Sequence, residues 1–309
     1  MTIRLKVRRQ SKQRARLVSG LSAVALMPLC LALARAAEPD VAVLKEAPPV
    51  EQENPPAIQF WNETRGQPRP LAIHVLKVDL NNPRVQVAAA IGADPDGDGP
   101  AESQLVPPLQ LAESNGLTAA VNANAFGGLP DADGKSRTDW YVGMPVDIVS
   151  WAATGGRTIS QPKPHYAGVW IGLDGRAGVG YADTNATARE AAAGFDQILR
   201  SGAIVCSTNA PLHPRTSAGL DRLGRFLWLA VADGRQPGYS QGMTTHELAE
   251  LMKSLGCWDA VNLDGGGSTV MLAPGEAGLR IVNRPSDRDK LGRLSLRPVP
   301  VLLGVRLRP

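Results

Sequence analysis

The residues with the clearest chemical potential lie between positions 261 and 271, where the sequence reads VNLDGGGSTVM. A short apolar run, typical of a strand, ends at Asp264 and is followed by three glycines and two hydroxyl residues. Because a run of glycines costs conformational entropy, it indicates a sharp turn or a close approach of the backbone to a ligand. Backbone N–H groups beside a carboxylate could hold an anion or a sugar next to a general acid or base.

Two further segments bring a guanidinium group close to a possible anion site. Arg215 and Thr216 follow a histidine and a proline, and Asp233, at the end of an apolar run, is followed by a glycine and Arg235. A planar guanidinium group can bind a phosphate through two parallel hydrogen bonds. Each segment alone is typical of an ordinary surface turn. Their combination with Asp264 indicates an oxyanion or phosphate site.

Apolar runs separated by turn residues predict the strands that position these groups. The predicted strands cover residues 71–80, 85–91, 167–173, 179–181, 225–231 and 299–307. The first two strands flank the sequence NNP, and the next two flank an Asp-Gly turn, which is typical of hairpins.

The clearest helix is predicted over residues 244–255. Thr244 and Glu247 form a capping box, apolar residues recur at helical spacing, and Gly256 follows the helix end. Less regular patterns predict helices over residues 102–114 and 186–199. Because strands and helices mix without strict alternation, the sequence predicts an α+β (mixed α/β) fold. In it, a mixed β-sheet core and packed helices form the single domain that carries the candidate site.

The N-terminal segment has the pattern of a secretory signal peptide. Residues 1–16 carry seven basic side chains and no acidic one, an apolar run follows over residues 17–34, and Ala-Arg-Ala provides a cleavage site. A single membrane anchor is the alternative, although Gly20 and Pro28 weaken the apolar run. We therefore expect a signal peptide over residues 1–36, a periplasmic or secreted location, and no stable membrane span after processing.

A proline-rich linker is expected over residues 37–65 and the globular domain over residues 66–309, although the composition becomes globular from about Ile58. The whole chain has 33 basic and 29 acidic residues, a net charge of +4. The first 36 residues hold eight of the basic residues and none of the acidic ones, so the remainder has a net charge of −4. This balance gives no reason to expect a nucleic-acid partner.

Two smaller features leave alternatives open. Cys206 and Cys257 could form a disulfide after export, or remain buried thiols. Asp94, Asp96 and Asp98 occupy the first acidic positions of a calcium-binding loop, but the twelfth position is a leucine. Calcium binding is therefore possible there, beside the interpretation of a solvated acidic loop.

Neither a serine-nucleophile motif nor a nucleotide phosphate-binding motif is complete in this sequence. Residues 238–242 match Gly-x-Ser-x-Gly, but a turn separates them from the preceding strand, and the last histidine in the chain is His246, only six residues after Ser240. The glycine run at Gly265 lacks the lysine of a nucleotide-binding phosphate loop.

The ordered set of motifs resembles the phosphodiester glycosidase family over residues 70–309, and most densely over residues 200–290. The motifs begin at Asn122, His213, Asp233, Ser240, Glu247, Asn262 and Asn283, in that order. The resemblance implies hydrolysis of a sugar-1-phosphodiester at the glycosidic bond, which releases a free sugar and a phosphomonoester. It also implies a phosphorylated sugar or glycan, such as an exopolysaccharide, as the partner, and a phosphodiester glycosidase domain over residues 66–309.

The resemblance also implies roles for individual residues. Asp264 is expected to be the leading catalytic carboxylate and Asp233 the second. The expected substrate-binding residues, which hold the phosphate, contact the sugar or support the carboxylates, are Arg215, Thr216, Arg235, Asn122, Asn262, Gly265, Gly266, Gly267, Ser268 and Thr269. A catalytically silent module that binds an envelope glycan or phosphoglycan is the alternative function.

The sequence departs from the family pattern near the expected sugar side. The segment from Asn122 to Phe126 has one aromatic residue fewer than the pattern, so the sugar could differ from that of other members. An insertion over residues 127–164 carries Trp140, Tyr141 and Trp151, which could form a lid that stacks on a sugar or pack in the core.

Overall fold

In the computed structural model, which describes residues 56–308, most apolar runs of the sequence form short strands. The strands are β1 (Ile58–Arg65), β2 (Leu71–Asp79), β3 (Val85–Ile91), β4 (Ser103–Gln104), β5 (Ala119–Asn122), β6 (Phe126–Gly128), β7 (Pro145–Ile148), β8 (Ala152–Thr154), β9 (Arg157–Ser160), β10 (Ala167–Ile171), β11 (Ala177–Tyr181), β12 (Glu190–Ala193), β13 (Gln197–Arg200), β14 (Ala203–Ile204), β15 (Arg215–Leu220), β16 (Phe226–Ala232), β17 (Asp259–Asn262), β18 (Met271–Gly275), β19 (Gly278–Ile281) and β20 (Val301–Leu307). The helices are α1 (Pro108–Ser114), α2 (Thr245–Ser254) and a 3-10 turn (Gly266–Ser268).

These strands form four antiparallel sheets. The largest has seven strands in the order β1-β2-β16-β15-β17-β13-β14. Two sheets have five strands each, in the orders β11-β10-β12-β8-β9 and β19-β18-β5-β20-β3, and a small one has the order β4-β7-β6. Every pairing between the described strands is antiparallel. The expected α+β class with a mixed sheet is therefore corrected to a mostly β fold with few helices.

Two of the predicted helices account for this difference. Residues 186–199 form β12 and β13, because the alanines of β12 are all buried between neighbouring strands and this packing outweighs the helix propensity of alanine. In the predicted helix 102–114, Pro107 takes the N-cap position, so only α1 is helical.

The other predicted elements are confirmed. Helix α2 has the expected capping box, in which the Thr244 side chain accepts from the Glu247 N–H and the Glu247 side chain accepts from the Thr244 N–H. The predicted strands correspond to β2, β3, β10, β11, β16 and β20, and β10 pairs with β11 as a hairpin.

The core lies on both faces of the seven-stranded sheet. Successive side chains of a strand point to opposite faces, so Ile73 and Val75 of β2 pack with the apolar face of α2, whereas Leu76 packs against the five-stranded sheets. Full burial of a leucine or isoleucine side chain stabilises the fold by about 1.5–3 kcal/mol. This sandwich fixes the strand ends on which the candidate site is built.

The chain boundaries differ in part from the expectation. Residues 58–65, assigned to the linker, form β1, which pairs with β2 from Ile58↔Val78 to Arg65↔Leu71. The linker prediction is therefore too long at this end. The predicted signal peptide (residues 1–36) and the linker up to residue 55 lie outside the described residues. Neither α1 nor α2 has the length and apolarity needed to cross a membrane, and no other helix in residues 56–308 does.

The structure also shows the surroundings of the two cysteines and of the acidic loop. Cys206 and Cys257 are free thiols, so the structure contains no disulfide between them. Asp94 and Asp96 accept hydrogen bonds from backbone N–H groups of their own loop. Within residues 56–308, no three acidic, histidine or cysteine side chains lie close enough together to hold a metal ion. Calcium binding at Asp94, Asp96 and Asp98 stays a prediction.

Candidate active site

Three neighbouring strands of the seven-stranded sheet bring the predicted residues together at one end of the sheet. Strand β15 begins at Arg215, which pairs with Ala232 at the end of β16, and Asp233 follows directly. On the other side of β15, Ser217 pairs with Asn262 at the end of β17, two residues before Asp264. Because β15 is antiparallel to both neighbours, its first residues meet the last residues of β16 and β17. The three sequence segments therefore converge.

At this end of the strands, Asp264 is held by backbone hydrogen bonds and is partly accessible. Its backbone N–H donates to Ala123 O (2.8 Å), and its carbonyl oxygen accepts from Asn122 Nδ2 (2.7 Å). Burial raises the pKa of the Asp264 carboxyl to about 6, because the surrounding protein disfavours the charged form. The nearby Ser268 hydroxyl and the guanidinium groups of Arg297 and Arg235 counteract part of this shift. The carboxyl therefore titrates close to neutral pH.

The glycine turn after Asp264 is needed because other groups contact its backbone. A Cβ atom at Gly265 would lie 2.6 Å from Pro214 O, and one at Gly267 would collide with the Asp287 carboxylate and the Arg297 guanidinium. Gly266 has a φ of +62°, in the left-handed region that favours glycine. No side chain could be added at Gly265 or Gly267 without moving these neighbours.

The N–H groups of this turn are largely used within the protein. The Gly265 N–H donates to Asp264 Oδ1 (2.9 Å), and the Gly266 N–H donates to Pro214 O (3.0 Å). Of the three glycine N–H groups, only that of Gly267 has no acceptor among the described residues. Of the three glycines expected to bind the substrate, Gly267 is therefore the one whose N–H is not already used by a described acceptor.

Arg235, His213 and Arg215 form a cationic side of the site. Arg235 Nη2 lies 3.3 Å from His213 Nδ1, and Arg235 has a φ of +58°, which is uncommon for a residue with a side chain. Arg215 is anchored by hydrogen bonds from Nε to Met243 O (3.0 Å) and from Nη2 to Pro211 O (2.8 Å). These contacts involve no carboxylate.

Burial and neighbouring positive charges lower the pKa values of two groups on this side of the site. Burial, followed by the charges of Arg235 and Arg215, lowers the pKa of His213. Burial and the charge of Arg235 also lower the pKa of the Arg215 guanidinium. Two guanidinium groups that repel each other are stabilised when an anion binds between them. His213 was not among the expected site residues, although it begins one of the motifs.

Asp233 is enclosed more completely than the sequence analysis expected. Its side chain is fully buried and accepts from His74 Nε2 (3.1 Å), Tyr239 Oη (2.9 Å), Asn283 Nδ2 (2.9 Å) and the Arg284 N–H (3.0 Å). Burial and Asp233 raise the pKa of Tyr239 to about 12, so the phenol stays a donor. With both oxygens occupied, Asp233 is not placed to contact a substrate, contrary to the expected direct catalytic role.

The side chains of Asn122 and Thr216 also form hydrogen bonds to other groups of the protein. The Thr216 hydroxyl is fully buried and donates to Asn122 Oδ1 (2.7 Å), which also accepts from the Val270 N–H (3.0 Å). Together with the bond to the Asp264 carbonyl, these contacts use both ends of the Asn122 amide. Neither residue is therefore placed to bind a sugar. Asn122 was expected to contact the sugar or to support the carboxylates, and its bond to the Asp264 carbonyl fits the second role.

The remaining predicted residues line the turn or a neighbouring cavity. Ser268 and Thr269 are each about 2% exposed, and Thr269 Oγ1 has no hydrogen-bond partner among the described residues. Asn262 Oδ1 is also buried without a partner there, and Asn262 lines a cavity of about 580 Å³ together with His213 and Arg215. Tyr181 and Phe195, which also line this cavity, are 47% and 36% exposed.

Residues of the 283–297 segment cover the turn, and most of them were not among the expected site residues. Arg297 pairs with Asp287 (2.8 Å) against Gly267, and the Ser286 hydroxyl donates to Gly266 O (3.3 Å). Only Asn283, Arg284 and Pro285 belonged to a recognised motif. The other contacts depend on folding this segment back onto the turn, for which the sequence carries no local signal.

The aromatic residues of the 127–164 insertion have different positions. Trp151 is 2% exposed and packs with Trp170 in the core. Trp140 contacts Phe126 (4.9 Å between ring centroids), and the Arg297 guanidinium lies 5.9 Å from the Trp140 ring. Trp140 therefore stands on the Arg297 side of Asp264, whereas Trp151 belongs to the core.

The serine of the Gly-x-Ser-x-Gly segment has a structural position. Ser240 is fully buried, donates to Asp233 O (2.6 Å) and accepts from the Ala72 N–H (3.1 Å). Its hydroxyl is therefore not placed to act as a nucleophile.

Comparisons with known proteins agree with this architecture. The catalytic domain of zebrafish N-acetylglucosamine-1-phosphodiester α-N-acetylglucosaminidase, auto-inhibited by its pro-peptide, is similar with a TM-score of 0.61 and 20% identity, covering 83% of this chain and 85% of that chain. A hypothetical protein from Synechocystis is similar with a TM-score of 0.58 and 12% identity, covering 82% and 62%. At these identities the solved structures show the fold alone. A comparison with curated protein sequences gave no significant match.

The family itself is shown by a different comparison. A family model described as phosphodiester glycosidase matches residues 115–306. This range is more than half of the chain and includes the segments that bear Asn122, Arg215, Asp233 and Asp264. The chain therefore belongs to the phosphodiester glycosidase family.

Proposed function

We propose that this protein is an exported hydrolase that cleaves the glycosidic bond of a sugar-1-phosphodiester to a free sugar and a phosphomonoester. The observation that carries the proposal is the position of Asp264. Its carboxyl has a pKa raised to about 6 and lies beside a cationic group formed by Arg235, His213 and Arg215. A titrating carboxylate next to an anion site suits a reaction at the carbon that bears the phosphate.

The cationic side would hold the phosphate. Arg235 and Arg215 can donate to its oxygens, and neutral His213 accepts from Arg235, which orients both side chains. The Gly267 N–H is a further donor on the side of the turn. Since these groups are fixed before the substrate binds, they stabilise the charge that collects on the phosphate as the bond breaks.

Asp264 would act in its ionised form. The departing phosphomonoester is a weak base, with a second pKa near 6, and needs little protonation. The more demanding task is to stabilise positive charge at the sugar carbon and to bring in the nucleophile. Ionised Asp264 does this either by attacking the carbon or by accepting a proton from the attacking water. Both steps require the carboxylate.

Asp233 would be a positioning residue. Its four donors come from three separate segments, around His74, around Tyr239, and at the neighbouring residues Asn283 and Arg284. Asn283 also contacts the turn, because its Nδ2 donates to Thr269 O (3.1 Å). Asp233 therefore links the end of β16 to the backbone after the glycine turn and holds Asp264 in place.

The two sides of Asp264 suggest how the substrate lies. His213 and Arg215 line the cavity of about 580 Å³, but among the described residues its lining includes neither Asp264 nor Arg235. We assign this cavity to the group on the far side of the phosphate, with Tyr181 and Phe195 as its aromatic wall. The sugar would lie on the opposite side, near Arg297 and Trp140.

Export to the periplasm or the medium belongs to the same proposal, because residues 1–36 have the pattern of a signal peptide. An envelope glycan or exopolysaccharide with phosphodiester-linked sugars would be accessible there. The excess of basic residues belongs to this segment, which supports a glycan rather than a nucleic-acid partner.

Purified protein tests the proposal with a panel of sugar-1-phosphodiesters. Wild type should release sugar from at least one member, and Asp264→Asn should lose turnover by at least about 10³-fold while retaining binding, an order of magnitude typical for an essential catalytic group. Asp183→Asn, at an exposed position, is the matched control. Equal turnover by wild type and Asp264→Asn would refute the role of Asp264. Glycan binding without turnover of any member would favour the silent binding module.

A further inference from the structure

A second polar cavity lies at the opposite end of the seven-stranded sheet. It has a volume of about 710 Å³ and lies next to Leu220, the last residue of β15, and to the turn after it. Arg215 is at the other end of β15, and a strand of this length spans roughly 17 Å at about 3.3 Å per residue. The cavity is therefore separate from the candidate active site.

Four arginines from four parts of the chain line this cavity. Arg176 belongs to the β10–β11 turn, Arg189 precedes β12, Arg222 lies in the β15–β16 turn, and Arg308 follows β20. Arg222 stacks over Trp258 (5.0 Å to the ring centroid) and Arg308 donates to Gln86 Oε1 (3.3 Å). Both partners are neutral, so these contacts leave the positive charges uncompensated.

Two acidic residues, Asp221 and Asp259, also line the cavity, so its four arginines outnumber its carboxylates, and both carboxylates accept hydrogen bonds from groups other than these arginines. Asp221 accepts from the Arg225 and Phe226 N–H groups (2.6 and 2.8 Å) and from Arg225 Nε (3.2 Å). Asp259 Oδ1 accepts from Gln197 Nε2 (3.1 Å) and from the Ser201 N–H (3.0 Å). Near Arg176, Asp174 Oδ2 lies 3.7 Å away on the exposed surface, where such a pair contributes little.

This concentration of positive charge contrasts with the rest of the chain. Residues 37–309 have 25 basic and 29 acidic residues, a net charge of −4. In such a domain, four guanidinium groups around one cavity create a local field that attracts an anion. The half-buried Trp170 lies on the same cavity, with its ring against Gly178, and provides an aromatic surface. Aromatic surface beside polar donors suits a sugar ring better than a small inorganic anion.

We propose that this cavity is a second binding site, for a glycan that carries carboxylate or phosphate groups. The arginines bind the anionic groups and Trp170 contacts a sugar ring. The site goes beyond the proposed hydrolysis and does not depend on it. In an enzyme that acts on a polymer, it would retain the chain while the Asp264 site acts.

The test compares wild type with the double variant Arg176→Ala/Arg189→Ala in affinity electrophoresis through gels that contain polygalacturonate or neutral dextran. The control is Arg65→Ala/Arg157→Ala, which removes the same charge from exposed positions outside this cavity. Polygalacturonate should retard the wild type and the control, and the cavity variant should bind at least tenfold more weakly. Neutral dextran should retard none of them.

Three results would overturn the proposal. The first is equal retardation of the cavity variant and the control. The second is an affinity for neutral dextran equal to that for polygalacturonate. The third is that inorganic phosphate or single-stranded DNA, at the same charge concentration, competes as well as polygalacturonate. Turnover of a small soluble sugar-1-phosphodiester should be unchanged in the cavity variant. A failure of this site is thereby distinguished from a failure of the proposed hydrolysis.

Discussion

The Asn122 side-chain amide donates to the backbone carbonyl of Asp264 over 2.7 Å, although 142 residues separate the two in the chain. Asn122 ends β5, in a five-stranded sheet, whereas Asp264 follows β17 of the seven-stranded sheet. This contact joins the two sheets at the candidate catalytic carboxylate. Asn122 also accepts from Thr216 and Val270, so one side chain fixes three segments.

Replacement of Asn122 should affect stability and activity in separable ways. Asn122→Ala leaves the Thr216 hydroxyl and the Val270 N–H buried without partners, which should lower the free energy of unfolding by about 2–5 kcal/mol. Asn122→Asp keeps an acceptor for both groups but cannot donate to Asp264. It should therefore retain more stability than Asn122→Ala and still lose turnover. Urea unfolding and initial rates measure the two effects. Full activity of Asn122→Asp would contradict the orienting role.

The pH dependence of kcat/KM should report the Asp264 carboxyl. Because burial raises its pKa to about 6 and the reaction needs the carboxylate, activity should be low near pH 4.5, rise through about pH 6 and level off above it. If Asp264 acted as a general acid instead, activity would be lost above pH 6. A profile of initial rates from pH 4 to pH 8 distinguishes the two, and an acidic optimum would refute the role of ionised Asp264.

Asp264 should also reduce the stability of the free protein at neutral pH. Its folded pKa of about 6 lies above its ordinary value of 3.8, so its contribution to stability is full below about pH 3.8 and is lost as the pH rises through about 6. Two pKa units correspond to at most about 3 kcal/mol. Asp264→Asn avoids this loss and should have a higher Tm than wild type at pH 7.5, with a difference that shrinks towards pH 4. A constant difference across this range would contradict the pKa shift.

Phe195 should contribute to binding of the substituent on the far side of the phosphate. Phe195→Ala should raise KM for a phosphodiester with a bulky second substituent by about tenfold, because it removes an aromatic contact worth about 0.5–1.5 kcal/mol together with buried area. A methyl phosphodiester of the same sugar should be hydrolysed as by wild type. Leu223→Ala, at an exposed position outside the lining of this cavity, is the control. An equal loss for both substrates would show that the cavity does not hold this group.

Local signals account for the parts of the structure that the sequence predicted well. The capping box of Thr244 and Glu247 and the hairpin of β10 and β11 depend on residues that are close in the chain. The glycine turn after Asp264 was also evident, because a packed segment tolerates three successive glycines mainly where its backbone turns sharply or is closely approached. The convergence of Arg215, Asp233 and Asp264 required the family resemblance, since strand order cannot be obtained from local patterns.

Long-range contacts account for what the sequence could not predict. Nothing near Asp233 indicates that donors from His74, Asn283 and Arg284 enclose it, so a buried positioning carboxylate looked like a second catalytic one. The alanines of β12 favour a helix locally and became a strand through burial on both faces. Arg297 approaches Asp264 only because its segment folds back over the turn.

The central claim is that the glycosidic bond breaks and not the phosphorus–oxygen bond. Hydrolysis in ¹⁸O-labelled water tests this claim most directly. If the glycosidic bond is cleaved at the sugar carbon, the label should enter the sugar C1 hydroxyl, and the phosphomonoester should contain none. Mass spectrometry of both products shows this, with Asp264→Asn as the inactive control. Incorporation of the label into the phosphate would show cleavage of the phosphorus–oxygen bond and would contradict the proposed function.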